Sequence, residues 1–251
     1  MHKIVIQDLN IQYSDGTESL KDINFAIPAN AITVIFGPAG GGKSTFLRTL
    51  NRLNDLADVT LMSGQVLIDG QNILDRKIDV IALRRKVGMV FARPIVLPLS
   101  IRGNLTYGLE MAGERRPERL NVAVERALQQ AALWDEVHDR LDEPAISLSG
   151  GQQQRLSLAR VLAMESEIIL LDEPTSGLDP ISTAKVEATL QELKKQYTIV
   201  LAPHSIQQAA RVADLAGFFL QGELVEVAQG KLIFTNPKDQ RTQDYVEGRF
   251  G

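Results

Sequence analysis

The sequence predicts an α/β protein with a parallel sheet at its centre, and three observations carry that reading. Ile32 to Phe36, Ile168 to Leu171 and Thr198 to Ala202 are short, continuous apolar runs, the pattern of strands buried on both faces. The first runs straight into GPAGGGKST and then the apolar-periodic stretch Phe46 to Leu53, which is strand, glycine-rich loop and helix in succession. From about Pro94 to Glu165 helical periodicity takes over (Val124, Ala127, Leu128, Ala131), so a helical insert divides the core into residues 1–93 and 166–251.

In chain order, residues 3–13 and 20–28 read as two strands joined by a turn at Asp15-Gly16, and Gln65 to Ile68 as a strand ending at Asp69-Gly70. Trp134, in the helical insert, is expected in the core. Helices are expected at about 152–163, 181–195 and 205–214, and Phe218 to Val227 reads as a closing hairpin around Gln221-Gly222. Without internal repeats or low-complexity tracts, the 251 residues are expected to form a single domain.

Hydrophobic residues make up 44% and charged residues 23%, an ordinary folded composition. A net charge of -4 and a pI near 5.5 argue against nucleic acid as the main partner. The absence of cysteine excludes disulfides, thiolate chemistry and Cys-based metal sites. The start, MHKIVIQDLNIQY, alternates like a strand rather than a signal peptide, and no uncharged apolar run approaches the ~20 residues of a membrane span. The expectation is a cytoplasmic protein that reaches a membrane only through a partner.

Gly37 to Ser44, GPAGGGKS, fits G-x-x-x-x-G-K-[ST]. Gly37, Gly40 and Gly42 let the backbone curl around phosphate oxygens with its N–H groups pointing inward, and the following helix turns its positive end to the anion. Lys43 supplies a point charge for the β- and γ-phosphates, and the Ser44 hydroxyl is a Mg2+ ligand. A glycine-rich turn with an incidental lysine would not explain why the motif sits between a buried strand and a helix. Asp172 and Glu173 close the run IILLDEP at the C-terminal end of a buried strand, the edge where open α/β sheets bind ligands. There Asp172 would hold Mg2+ directly or through water, and Glu173 would orient and activate an attacking water. His204 follows the next strand in LAPHS, placed to donate to the γ-phosphate or hold that water.

Ser149-Gly150-Gly151 at the start of a helix makes a second N-terminal anion site, with free N–H groups and a hydroxyl. One bound nucleotide does not need two such grips. LSGGQQQRL between a phosphate loop and LLDEP resembles the signature arrangement of ABC-type ATPases. The order Gly37–Ser44, Leu148–Gln152, Asp172–Glu173, Ser176–Asp179 and His204 is similar to that family across the chain. The resemblance implies a P-loop NTPase (RecA-like) core with an antiparallel β-subdomain and an inserted α-helical subdomain. It implies ATP and Mg2+ as cofactors, and two copies closing head to tail around two ATPs, each signature gripping the γ-phosphate held by the other copy. Carried onto this chain, nucleotide binding falls to Tyr13 (an aromatic for adenine), Gly37, Pro38, Ala39, Gly40, Gly41, Gly42, Lys43, Ser44, Thr45, Ser149, Gly150, Gly151, Gln152 and Asp179. Metal binding falls to Ser44 and Asp172, and catalysis to Glu173, His204 and Lys43.

IDVIALRRKVGMVF, ALWDEV, SLSGGQQQRLSLAR, LDPIST, QQAAR, GELVE and DYVEGRFG together resemble one branch of the family, the ATPase subunits of bacterial phosphate importers. That implies hydrolysis driving phosphate uptake through two transmembrane permease subunits and a periplasmic or lipid-anchored binding protein. The chain would then sit peripherally on the cytoplasmic face of the inner membrane. Pro94 to Ile101 is the expected surface for a permease coupling helix, and an oxyanion of the molybdate or tungstate type is the alternative cargo. A soluble ABC ATPase acting on nucleic acid is disfavoured by the single cassette, the lack of heptads and the acidic balance. An ordinary P-loop kinase or switch leaves Ser149 to Gln152 without a task.

The chain departs from the family pattern in places. Ala92, in VGMVFARP, stands where the family carries a Gln that ligates Mg2+, contacts the attacking water and relays the nucleotide state. Weaker Mg2+ positioning and coupling, with ATP binding kept, are therefore expected. Ala39 and Gly41 replace Ser and Cys or Ser at positions expected to be unconstrained, and Pro203 replaces the Thr or Ser before the histidine. Arg84-Arg85-Lys86 and Arg115-Arg116 read as solvated charges.

Overall fold

The computed structural model describes residues 2–249; Met1 and the Phe250-Gly251 end of DYVEGRFG lie outside the described residues. The chain opens with β1 (His2–Tyr13), β2 (Glu18–Pro28), β3 (Ile32–Phe36) and α1 (Lys43–Leu50), then β4 (Val59–Ile68), β5 (Gln71–Asn72), α2 (Val80–Lys86) and β6 (Val87–Val90). Four helices without an intervening strand follow: α3 (Ile101–Met111), α4 (Pro117–Gln130), α5 (Trp134–Val137) and α6 (Gly150–Ala163). The chain then runs through β7 (Ile168–Asp172), α7 (Pro180–Leu193), β8 (Thr198–Ala202), α8 (Ile206–Val212), β9 (Leu215–Leu220), β10 (Glu223–Gln229), α9 (Leu232–Thr235) and α10 (Gln240–Val246).

Two sheets result. One is antiparallel with order β2-β1-β4-β5; the other has order β10-β9-β3-β8-β7-β6 and is parallel except for β10. Every residue of β3 and β8 is buried. Ile32, Val34 and Phe36 enter one core while Ile35 enters the other, so these strands are apolar throughout instead of alternating. β1 and β2 alternate, but each changes phase once. In β1 the buried set is Ile4 and Ile6, then Leu9 and Ile11, with Asp8 at φ 50 as the extra residue. β2 shifts likewise between Leu20 and Ile23 around Asp22 at φ 47. Two asparagine side chains satisfy these bulges: Asn24 Oδ1 accepts from Asp8 N at 3.1 Å and Asn10 Oδ1 from Asp22 N at 2.9 Å.

The structure extends and corrects the sequence-based reading in several places. β4 begins at Val59, because its first half pairs with β1 while staying largely exposed and so lacks an apolar signal. α2 buries little beyond Leu83 and passes directly into a four-residue strand, so neither α2 nor β6 has a period long enough to read. Arg84 is not a solvated charge: its guanidinium donates to the carbonyls of Asn51 at 3.3 Å and Arg52 at 2.9 Å. Lys86 pairs with Asp69 at 2.6 Å. Trp134 is half-buried at the edge of the core. Among the described residues no helix is long and apolar enough to cross a membrane.

α1 ties the two sheets together. Its Phe46 is fully buried, with ring centroids 6.1 Å from Phe25 of β2 and 5.2 Å from Phe219 of β9. Phe46→Ala should cost about 3–5 kcal/mol of unfolding free energy, read from urea titration at unchanged m-value.

Candidate active site

Three adjacent parallel strands deliver the expected catalytic groups to one edge. β3 ends at Phe36 and opens into the glycine loop, β8 ends at Ala202 before Pro203 and His204, and β7 ends at Asp172 before Glu173. Asp172 pairs in register with Ala202, and Val90 of β6 with Leu171, so Phe91 and Ala92 leave the sheet at the same edge. One cleft is lined by Gly37, Ala39, Lys43, Glu173, Pro203 and His204, with Phe36, Ser205, Ile206 and Tyr245 around them.

The loop backbone is held too tightly for side chains. A Cβ at Gly37 (φ 143) would lie 1.9 Å from the Phe219 carbonyl oxygen, and one at Gly42 (φ 101) 2.5 Å from that of Ser19. Gly41 belongs with them: a Cβ there would come within 2.9 Å of the same Phe219 oxygen, so the position is not unconstrained. Gly40 has open space around it, and only its φ of 75 disfavours a side chain, while Ala39 is exposed. Gly42 caps α1 without a side chain, which leaves the N–H groups of Lys43, Ser44 and Thr45 to an anion. The Lys43 ammonium donates to the carbonyls of Gly37 and Pro38, each at 2.8 Å, which holds its charge across the loop. Burial lowers its pKa, and Glu173 and Asp172 partly offset that. Thr45 offers its backbone more than its side chain, since its hydroxyl meets Tyr13 Oη at 3.1 Å and Ser19 Oγ at 2.8 Å. Tyr13 thus stands beside the loop helix, tied to it from β1.

Ser44 Oγ donates to Asp172 Oδ1 at 3.2 Å. A hydroxyl and a carboxylate at this spacing suit a cation of the Mg2+ type, which keeps phosphate and water oxygens in its remaining positions. Glu173 sits at φ 48, a left-handed conformation unusual for a residue with a long side chain, and its N–H donates to Ala202 O at 2.8 Å. Its Oε2 lies 3.8 Å from His204 Nδ1.

Ser149, Gly150, Gly151, Gln152 and Asp179 do not line this cleft. Ser149 caps α6 through a capping box: Ser149 Oγ accepts from Gln152 N at 3.4 Å and Gln152 Oε1 from Ser149 N at 2.9 Å. The cap takes up the Ser149 and Gln152 N–H groups, while the Ser149 hydroxyl only accepts in it and keeps its own proton to donate. Gly150 stays open to solvent. Gln152 Nε2 donates to Glu136 at 3.0 Å, and Glu136 also takes two bonds from Arg155, at 2.8 and 2.9 Å, and one from Lys185 at 2.7 Å. Asp179 caps α7, accepting from Ile181 N at 2.9 Å, Ser182 N at 3.0 Å and Ser182 Oγ at 2.5 Å. Sequence reasoning missed Glu136, Ser19 and Tyr245. Glu136 lay inside ALWDEV as an unremarkable helical acid, and Tyr245 in a helix that gave no periodic signal.

A glycine loop between a buried strand and a helix, with a hydroxyl–carboxylate pair and a Glu–His pair at one sheet edge, defines a P-loop nucleoside triphosphatase. The chain belongs to the ABC transporter family, whose sequence profile matches residues 20–176. It is therefore an ATP-binding, ATP-hydrolysing cassette. It is 50% identical over 250 residues to the phosphate import ATP-binding protein PstB 2 of Bacillus licheniformis, covering all of this chain and 90% of that protein. Among solved structures it is similar to cbiO1 of Clostridium perfringens, part of the cbiONQ transporter complex: 30% identity, TM-score 0.82, 99% of this chain and 96% of that one. It is also similar to the ATP-binding cassette MJ0796, solved as a dimer in a post-hydrolysis state bound to ADP and Pi: 29% identity, TM-score 0.77, 90% of this chain and 98% of that one.

The Glu136 cluster gives a pH signature. Hydrogen bonds from Arg155 above all, then Lys185 and Gln152, lower the Glu136 pKa from 4.5 to about 2 against the opposing effect of burial. A depressed carboxylate stabilises the fold above its unfolded pKa and loses that contribution as pH falls through the folded value. Glu136→Gln should therefore melt below the parent chain near neutral pH, with the gap closing between about pH 4.5 and pH 2. Parallel thermal melts across that range check it.

Proposed function

We propose that the chain is the ATPase subunit of an importer for inorganic phosphate, working as a head-to-tail pair on two membrane permease subunits that are fed by a binding protein. The hydrolytic part rests on the convergence of Lys43, Ser44, Asp172, Glu173 and His204 at one edge of the sheet. The cargo rests on half-identity, over the whole chain, to a phosphate import ATP-binding protein. The pairing explains why Ser149 to Gln152 and Asp179 stand outside their own cleft: they serve the nucleotide held by the second copy. Residues 94–165 form the helical subdomain that carries this signature, and the whole assembly lies on the cytoplasmic face of a bacterial inner membrane.

In this reading Tyr13 stacks on adenine and the loop from Gly37 to Thr45 takes the phosphates through its N–H groups. Lys43 places its charge on the β- and γ-phosphates. Ser44 and Asp172 hold Mg2+, which supplies positive charge against the phosphate oxygens when bound. Glu173 accepts a proton as water attacks the γ-phosphorus and the bond to the ADP oxygen breaks. His204 donates to the γ-phosphate and, 3.8 Å from Glu173, holds the water between them.

The permease surface is the segment between β6 and α3. Ile95 and Leu99 are exposed there, while Ile101 is fully buried and so leaves the expected Pro94 to Ile101 surface. The buried Asn104 shapes this segment: Leu97 N donates to its Oδ1 at 2.9 Å, and its Nδ2 donates to Leu97 O at 3.2 Å and Ser100 O at 3.0 Å. Ala92, half-buried at the root of this segment, brings only a methyl group where a Gln would reach Mg2+ and the water.

Glu173→Gln should cut ATP turnover ~10²–10⁴-fold while ATP still binds and promotes dimers, measured by phosphate release and light scattering. Ala92→Gln should raise turnover and sharpen its Mg2+ dependence; an unchanged rate and Mg2+ profile would show that Lys43, Ser44 and Asp172 suffice. In cells lacking the native ATPase subunit, this chain should restore uptake of radiolabelled phosphate; restoring molybdate or tungstate uptake instead would reassign the cargo.

A further inference from the structure

Glu173 and His204 have exposed side chains, 40% and 60% respectively, so packing of the side chains themselves does not set their 3.8 Å separation. It must come from the backbone turns that carry them. β7 and β8 stop at Asp172 and Ala202, and beyond the bond from Glu173 N to Ala202 O the two turns leave the sheet ladder.

Behind the cleft one buried side chain joins these turns. Gln208, in the first turn of α8, is only 2% exposed. Its Oε1 accepts the backbone N–H of His204 at 3.1 Å, and its amide faces the Thr175 hydroxyl, 2.9 Å from Nε2 and 3.1 Å from Oε1. Its own N–H is fixed by Ser205 Oγ at 3.2 Å. Thr175 is buried and lies in the turn that Glu173 begins, where Ser176 N donates to Glu173 O at 3.0 Å. One amide therefore touches the turn of the base and the turn of the histidine, with no charge that would perturb either. Removing it would leave the buried Thr175 hydroxyl and the half-buried His204 N–H without these partners, a cost met most cheaply by moving the turns.

We propose that Gln208 is a positioning residue, which clamps the Thr175 turn to the His204 backbone and so sets the spacing of Glu173 and His204. The proposal rests on the roles given above to those two residues. A Gln that merely secured α8 would affect stability, whereas a clamp affects the chemical step and spares the phosphate loop. A displacement near 1 Å at reacting groups is enough to cost ~10²-fold in rate.

The test uses the full chain, with steady-state turnover, KM for Mg-ATP and thermal melts on Gln208→Met, Thr175→Val, Thr175→Ser and the Gln208→Met/Thr175→Val double variant. Gln208→Met and Thr175→Val should each lower kcat ~10–100-fold with KM within about threefold of the parent. The double variant should be no slower than the worse single one, since both break one clamp. Thr175→Ser, which keeps the hydroxyl, should restore kcat to within about threefold. Parent-like kcat in Thr175→Val, or losses that multiply in the double variant, would overturn the clamp; Thr175→Val settles this even where Gln208→Met does not fold. Glu173→Gln measured alongside separates the two readings. If it turns over normally, the assignment of the base fails; if it is slow and the clamp variants are not, only the clamp fails.

Discussion

The site depends on a backbone packed against backbone. The glycine loop runs between the end of β9 and the start of β2, with the Phe219 and Ser19 carbonyl oxygens where Cβ atoms at Gly37 and Gly42 would be. Gly222 N donates to Gly41 O at 3.2 Å, and Lys21 N to Gly222 O at 2.8 Å, which stitches the loop to the β9–β10 turn and through it to the antiparallel sheet. At Gly37 and Gly42 no side chain can enter without shifting a strand. The loop is therefore preformed by the scaffold, and its N–H groups need no reorganisation to meet an anion.

The rest follows from that fixed point. α1 begins at the loop and buries Phe46 between the two sheets, so the anion site and the core share one helix. The parallel strands beside β3 stop at the same level and present Asp172, Glu173 and His204 to it. Glu173 accepts a strained backbone at φ 48, and the Thr175–Gln208–His204 bonds brace the turns on either side. The signature is held by a separate set of polar contacts. Ser149 and Gln152 cap α6, and Glu136 connects that cap to Arg155 on the same helix and to Lys185 on α7, which Asp179 caps. Ser149 and Asp179 are thus wired to each other within one chain.

How much was legible in the sequence varied with the kind of signal. β3 and β8 read from Ile32 to Phe36 and Thr198 to Ala202 with the bounds they have in the structure, because strands buried on both faces are apolar without interruption. The glycine loop, Asp172, Glu173 and His204 were legible for the same reason: each begins within two residues of the end of such a run. α2, β6, β5, α9 and α10 were not, being too short for any period to accumulate. Arg84 misled and Glu136 was passed over because sequence gives their charge and not what it faces. One reaches two backbone carbonyls and the other gathers three side chains from α6 and α7.

By itself the sequence determined the family's motifs: which residue types stand at the glycine loop, the signature and the strand ends, and in what order they come along the chain. These are local properties of residue type and spacing, written into a dozen consecutive positions at a time. Tertiary structure alone decided which groups share a cleft, that Gly41 is confined by the same Phe219 carbonyl as Gly37, that the Ser149 hydroxyl already serves a cap, and that Gln208 bridges the turns after β7 and β8. Each of those depends on contacts between segments far apart in the chain, from Gly41 to Phe219 and from Thr175 to Gln208. Such contacts exist only once burial of the apolar strands has brought the segments together.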